Sequence, residues 1–539
     1  MPILDRDKAS DRHPDHLGLF HRIPELRRRN FLGLLGAGGA AALVSACSSA
    51  SAASGGKRKG GNLTIVRGLD AVNMNKTMVF DNASIWVYVQ IYQSLFANTT
   101  DGKGVTPWLV DSYTTSPDYM TWTFKLKSGI KFSNGQPMTS ADVKFSIDEA
   151  SSTHGGWEFI NAAIKHVAAP DPSTVIITTK YPWAPLLADL ACPSNGIIPN
   201  NYGGKTSAEF YAAPIGTGPF MWDTWNVGSA LTLKRNPHYW EPGKPVLDSV
   251  TWQVVPDTTS RALMIQGGQA DINEFPAFSS LDELRATSGV DVDLFKSTRT
   301  DYLMMNQNKK PYQDVHVRRA ISYAIDREAL LKAVLYGNGQ VANSLFMPTV
   351  GYYDPSTPGL QYDMAKAKQE MALSSVPHGF NTTYLASSGD STDAAIAQIL
   401  QESLRGLGIT MNIQEGDPSA VHAEQEALQF EIGHSYWTMD ISDPDELVQY
   451  ALIPNSGGHS FCTDFNDPQL INLAGEAEKA FDTAKRQQIY NQLQTAAAES
   501  AFLGFLFYQP FPYARLSNVQ GFFVYPTGTY RLENVYLSS

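Results

Sequence analysis

The chain has 539 residues, 43% of them hydrophobic and 17% charged, which is more than one apolar core usually holds, so at least two domains are expected. A formal net charge of -12 leaves no basic stripe for phosphates and argues against nucleic acid as a partner. Twenty-four Tyr and ten Trp supply flat amphipathic rings, most of them suited to the core and some to the wall of a ligand cleft.

At the N-terminus, Arg27-Arg28-Arg29-Asn30-Phe31-Leu32 contains a twin-arginine motif. The Gly/Ala-rich run from Leu32 to Val44 behind it is too short and too weakly apolar to span a bilayer. Leu43-Val44-Ser45-Ala46-Cys47 resembles the lipobox of bacterial lipoproteins. That resemblance implies that residues 1–46 are a signal, cleaved before Cys47, and that lipid on the Cys47 thiol anchors the chain to the cell membrane outside the cytoplasm. Residues 47–61, rich in Ser, Ala, Gly and Lys, are expected to be a tether. Cys192 and Cys462 are the remaining thiols, and nothing in the sequence decides whether they pair.

Folding is expected to begin near Asn62, with a strand over Leu63–Val66 and a helix from Trp86 to Leu95. Trp122, Phe124 and Leu126 alternate with Thr123, Lys125 and Lys127, the period of a half-buried strand. Ser128-Gly129 and Asn134-Gly135 mark turns, and Thr139-x-x-Asp142 is a capping box for a helix with Val143, Ile147 and Ala150 on one side. A strand through Val250, Trp252 and Val254, a helix over Thr258–Gln266 and a strand at Ala270–Ile272 imply a parallel, mixed α/β sheet. From Asp301 an extended run passes into two helices. Val317, Ala320, Ile321, Ala324 and Ile325 share one face of the first, Asp326 caps the second, and Gly337 sits where a left-handed residue should close it. Strands at 382–385, 409–413 and 430–433, a helix over 393–407 and largely helical residues 466–497 follow. Pro510 and Pro512 in the aromatic run 502–513 exclude a spanning helix and suit an extended return crossing.

Two of these stretches, TWTFKLKSGIKFSNGQPMTSADVKFSID from Thr121 and MNQNKKPYQDVHVRRAISYAIDREALLKAVLYG from Met305, resemble family 5 extracellular solute-binding proteins, the peptide and nickel receptors of ABC importers. Ile215-Gly216-Thr217-Gly218-Pro219-Phe220 and Arg235-Asn236-Pro237-His238-Tyr239-Trp240 also match family motifs, and are taken as turns and packing rather than ligand contacts. The resemblance implies a two-lobed α/β fold of the periplasmic-binding-protein type with two hinge crossings. Lobe I would comprise 62–302 plus 508–539, with an extra subdomain at about 100–205, and lobe II would comprise 303–507. It further implies a receptor and not an enzyme, without cofactor, acting as a monomer. Such a receptor captures a solute, in the first place a di- or oligopeptide, and delivers it to an ABC permease with its ATPase subunits.

The patterns Gly36-x-Gly38-x-x-Ala41 and Gly337-x-Gly339-x-x-Ala342 lack the strand-to-helix context of a dinucleotide loop. The eleven histidines, His154, His166 and His238 included, have no metal-ligand spacing. Ser435 to Asp445 is different, because it follows a strand and falls where open α/β sheets place ligands. Here Trp437-Thr438-Met439-Asp440-Ile441-Ser442-Asp443-Pro444-Asp445 resembles a segment of dipeptide receptors, which implies that Asp440 pairs with a peptide's α-ammonium. A cleft that closes over an amine must bury it, and a carboxylate makes that burial tolerable. Trp437 would be a flat wall beside it or a core residue, and Asp443 a helix cap. Asp81 and Asn82 are candidates for contacts to the ligand main chain, or for a helix cap. The arginine with which dipeptide receptors hold the ligand's carboxyl end is missing from Ala386-Ser387-Ser388-Gly389-Asp390, which favours a longer peptide or another amine. An oligosaccharide receptor with Trp and Tyr as stacking platforms, and an exported hydrolase using Asp440 and Asp443, are the alternatives.

Overall fold

Two mixed sheets, each with its own apolar core, are joined by two extended passages. The computed structural model describes residues 60–538 apart from 154–155 and 455–458. The twin-arginine motif, Cys47, nearly all of the tether and His154 lie outside the described residues.

The first sheet has the strand order Val290–Phe295, Phe511–Leu516, Ile272–Glu274, Asn62–Arg67, Ser249–Val254, Ala230–Arg235, Phe220–Asn226. Asn62–Arg67 is parallel to both neighbours. Helix Thr258–Gln266, capped by Asp257 accepting from the Ser260 N–H at 2.7 Å, carries the chain from one neighbour to the other, as parallel pairing requires. The second sheet has the order Gln340–Val341, Leu503–Tyr508, Arg299–Met305, Ile432–Thr438, Asn381–Ser387, Thr410–Gly416. Strand Arg299–Met305 lies wholly in this sheet, so the chain passes between lobes at residues 296–298, slightly ahead of the expected boundary at 302. The return runs from Leu503–Tyr508 into Phe511–Leu516 of the first sheet, broken only at Gln509-Pro510. Ser297 donates its hydroxyl to the Gln509 carbonyl, so the two passages are tied together.

A separate four-stranded sheet, Val110–Thr115, Thr121–Leu126, Thr174–Thr179, Ile164–Asp171, is formed by residues inserted in the first lobe's sequence. Trp122, Phe124 and Leu126 face its core together with Val143 and Ile147 of helix Ser140–Ser152. The capping box of that helix is present, with Asp142 accepting from the Thr139 N–H at 2.7 Å. Helices Val315–Ala324 and Arg327–Leu335 pack on the second sheet, and Asp326 accepts from the Ala329 N–H at 3.0 Å. The left-handed closure arrives one residue early, at Tyr336 (φ 52°), with Gly337 (φ 79°) continuing it, because both N–H groups reach back to the Leu331 carbonyl.

The first-lobe helix is also shifted from its expected place. It spans Asn82–Tyr88, not Trp86 to Leu95. Asp81 starts it, and it gives way where the carbonyls of Gln90 and Ile91 are taken by the N–H groups of Phe220 and Gly218. A Cβ on Gly218 would lie 2.4 Å from the Gln90 oxygen, which is why glycine stands in that motif. Cys192 and Cys462 are both free thiols. Among the described residues no helix is long and apolar enough to cross a membrane.

Candidate ligand-binding site

Strand Ile432–Thr438 starts and ends later than its expected 430–433, so Trp437 and Thr438 are strand residues and Asp440 stands just beyond its end. From there the chain reaches across to the first lobe. Met439 exchanges hydrogen bonds with the Thr298 hydroxyl, accepting at 3.3 Å and donating at 3.1 Å. Asn98, at the end of the short strand Phe96–Asn98, donates to the Asp440 carbonyl at 3.0 Å and accepts from the Ser442 N–H at 3.1 Å. One side-chain amide thus pairs with the segment much as a strand would. Between those bonds, Ile441 is fully buried in the first lobe's core alongside Tyr88 and Ile85.

Helix Asp445–Leu452 fixes the same segment from behind. Glu446, in its first turn, accepts from the Asp440 N–H at 2.9 Å, the Ile441 N–H at 3.0 Å and the Trp437 indole N–H at 3.2 Å. The N-cap position of this helix is Pro444 and not Asp443, which stands one residue ahead, accepts from the Asp445 N–H at 3.0 Å and pairs with Arg486 through two bonds of 2.7 and 2.9 Å. The carboxylate of Asp440 is treated differently. Only 6% exposed, it receives no hydrogen bond from any described residue.

Burial therefore pushes the Asp440 carboxyl up to about 7. Glu446 is pushed up as well, by burial first and the neighbouring Asp440 charge second, while its three N–H donors oppose the shift. The two acids titrate as a pair: burial opposes charge on both, and the three N–H donors favour the charged form of Glu446. Further unpartnered polar atoms lie nearby: the fully buried hydroxyl of Tyr88, and those of Thr438 and Ser442. The Tyr88 hydroxyl is raised by burial and then by the charges of Cys192, Asp440 and Asp81. A cavity of about 50 Å³, lined by Tyr88, Tyr92, Phe96, Asn98, Trp108 and Arg531 among others, borders this point from the first lobe. In the arrangement described, it has room for little more than ordered water.

Trp437 is half-buried, its ring 4.3 Å from that of Tyr450 and 5.5 Å from that of Phe461, so it is both a packed aromatic and a neighbour of Asp440. Asp81 accepts from the Ser84 N–H at 2.7 Å and caps the helix in which Asn82 is the first residue. Asp81 and Tyr88 thus stand at the two ends of one short first-lobe helix, and Asp440 just beyond the end of a second-lobe strand. Asn98, Tyr88 and Glu446 were not anticipated from sequence. Glu446 alone left a signal, as a further acid in an already acidic segment.

Two mixed α/β lobes joined by two extended passages match the fold of solute-binding proteins in solved structures. This chain belongs to the bacterial extracellular solute-binding proteins, family 5, whose middle-region model matches residues 104–458. It is an extracytoplasmic substrate-binding protein of the ABC-importer type, and the family is not enzymatic. The glutathione-binding protein GsiB of Escherichia coli strain K12 is 31% identical over 490 residues, covering 88% of this chain and 93% of that protein. Among solved structures, the ABC transporter-associated periplasmic binding protein DppA from Helicobacter pylori, in complex with peptide STSA, matches with a TM-score of 0.79 and 27% identity over 89% of this chain and 99% of that one. AgaA from A. tumefaciens R10, in complex with agropinic acid, matches with a TM-score of 0.80 and 26% identity over the same shares.

Proposed function

We propose that the protein captures an amine-bearing solute, in the first place a di- or oligopeptide, between its lobes and delivers it to an ABC permease and its ATPase. It would do so as a monomer held at the membrane by lipid on Cys47 after twin-arginine export. The observation that carries the reading is Asp440, a buried carboxylate with every neighbour arranged around it and no partner of its own. A ligand ammonium supplies that partner and makes the burial favourable. Glu446 holds the Asp440 main chain and the Trp437 ring in place, and the Tyr88, Thr438 and Ser442 hydroxyls offer further hydrogen bonds. Asp81 and Asn82 complete the first-lobe side as candidate ligand contacts. Of the three relatives, the names of two point to glutathione and a peptide, both of which present an α-ammonium, and that of the third to agropinic acid.

The mechanism follows from the hinge. Contacts made by both lobes exist together only when the lobes are closed, so the solute shifts the population towards the closed form that the permease recognises. Native mass spectrometry of the mature protein as purified should display a co-purified amine, lost after unfolding and refolding. Asp440→Ala should weaken that amine in a calorimetric titration by about 2–5 kcal/mol. Equal affinity in the variant would remove Asp440 from the site.

A further inference from the structure

Between helices Pro468–Ala477 and Thr483–Ser500, the chain of the second lobe reaches over to the inserted four-stranded sheet. Ala477 and Ala480 sit in the second lobe's core. Phe481, the next residue, packs instead against the core of the insert. Its ring stacks on Tyr119, with centroids 3.9 Å and planes 11° apart, and lies 6.3 Å from Trp122. Two contacts of other chemistry flank the stack. The Ala184 N–H donates to the Glu478 carbonyl at 2.7 Å, and the Lys479 ammonium lies 5.8 Å from the centre of the Tyr181 ring. None of these residues lines the cavity beside Asp440.

Tyr119 lies in the turn between strands Val110–Thr115 and Thr121–Leu126. Its φ of 57° lies in the left-handed region that a side chain with a Cβ disfavours. The turn around it is over-determined: Asp118 accepts from the Ser116 hydroxyl at 2.5 Å and the Met120 N–H at 3.1 Å, and the Tyr119 carbonyl accepts from the Trp122 indole at 3.1 Å. The turn thereby presents an aromatic ring to the opposite lobe.

We propose that the Phe481–Tyr119 stack is a closing latch, remote from the solute, that sets how readily the lobes close and so tunes affinity for every ligand alike. This rests on the reading that solute is captured by lobe closure. A solute binds only the competent fraction of a two-state receptor, so whatever stabilises the closed form lowers the apparent Kd by the same factor. A stacked aromatic pair shifts such an equilibrium roughly two- to tenfold.

The test uses the mature protein in three variants, with small-angle scattering of the ligand-free form and a titration with the dipeptide Ala-Ala as probe. Phe481→Ala should enlarge the radius of gyration and weaken Ala-Ala roughly two- to tenfold. Phe481→Tyr, which keeps a stacking ring, should restore both. Tyr119→Gly removes the ring and the strain together, so it should unfold at the same or a higher temperature while opening and weakening like Phe481→Ala. Wild-type scattering and affinity in Phe481→Ala, or in a folded Tyr119→Gly, overturn the latch. A scattering shift with no Ala-Ala binding by any of the proteins supports the latch and overturns the dipeptide reading of the solute instead.

Discussion

The helical pair on the second sheet and the segment from Trp437 to Glu446 both bury ionisable groups, and they treat them in opposite ways. Arg318 donates to the carbonyls of Tyr312, Gln313 and Ser500, and Arg327 to those of Ser322, Ile325 and Phe505. Burial lowers both guanidinium groups to about 10, so they stay charged at neutral pH, and their donors fasten the helices to the chain of the return passage. Every bond there serves the fold. In the second region Asp443 is equally well kept by Arg486, but Asp440, three residues earlier, has no partner among the described residues. An unpaired buried carboxylate destabilises the protein that carries it, so its presence beside fully paired neighbours marks a place completed by something else.

The comparison is broken most severely at Arg486. Arg486→Leu should leave Asp443 buried and unpaired, as Asp440 already is, and cost about 3–5 kcal/mol in urea unfolding. Asp440→Asn should do the reverse. The folded-state carboxyl titrates near 7, well above its unfolded value, so the folded form holds its proton longer than the unfolded chain. Its contribution is therefore favourable below the unfolded value and is lost as the pH rises through about 7. At pH 8 the Asn variant should be more stable than the ligand-free wild type by about 2–4 kcal/mol, with a shallower fall in stability between acid and neutral pH. An Asn variant less stable than wild type at pH 8 would show that Asp440 is a structural charge like Asp443.

Affinity should move the other way along the same axis. A ligand ammonium requires the ionised Asp440, and in the free protein that group keeps its proton below about 7. Binding then releases a proton, and affinity for an amine should fall by up to about tenfold for each pH unit below that point. Calorimetry in two buffers of different ionisation enthalpy would detect the released proton. A flat profile between pH 5 and pH 8 would detach Asp440 from the ligand.

Much of the frame was legible because its determinants are local. The alternation through Trp122, Phe124 and Leu126, the Thr139–Asp142 box, the Asp326 cap and the extended return through Pro510 and Pro512 each depend on a few adjacent residues. The expectations that shifted depended on distant partners. The first-lobe helix ends where Gly218 and Phe220, far along the chain, claim its next carbonyls. In the site, the 435–445 segment and its Asp440 could be read from a motif, whereas Asn98 enters only through tertiary pairing, with Ser442 lying 344 residues away in sequence. No local period announces such a residue.

The smallest expected effect separates two roles for Asp81. It caps a helix of seven residues by accepting from the Ser84 N–H, and loss of such a cap costs about 1 kcal/mol. That helix leads directly to Tyr88, whose hydroxyl has no partner and feels both Asp81 and Asp440. If capping is its whole task, Asp81→Ala should lower stability by about 1 kcal/mol and Asp81→Ser should recover most of it, with ligand affinity unchanged in both. If Asp81 also meets the ligand, Asp81→Ser should recover stability but not affinity, since a hydroxyl can cap a helix and cannot replace a carboxylate's charge. Thermal unfolding and titration of the two variants side by side therefore decide whether the first lobe keeps an acid for the solute.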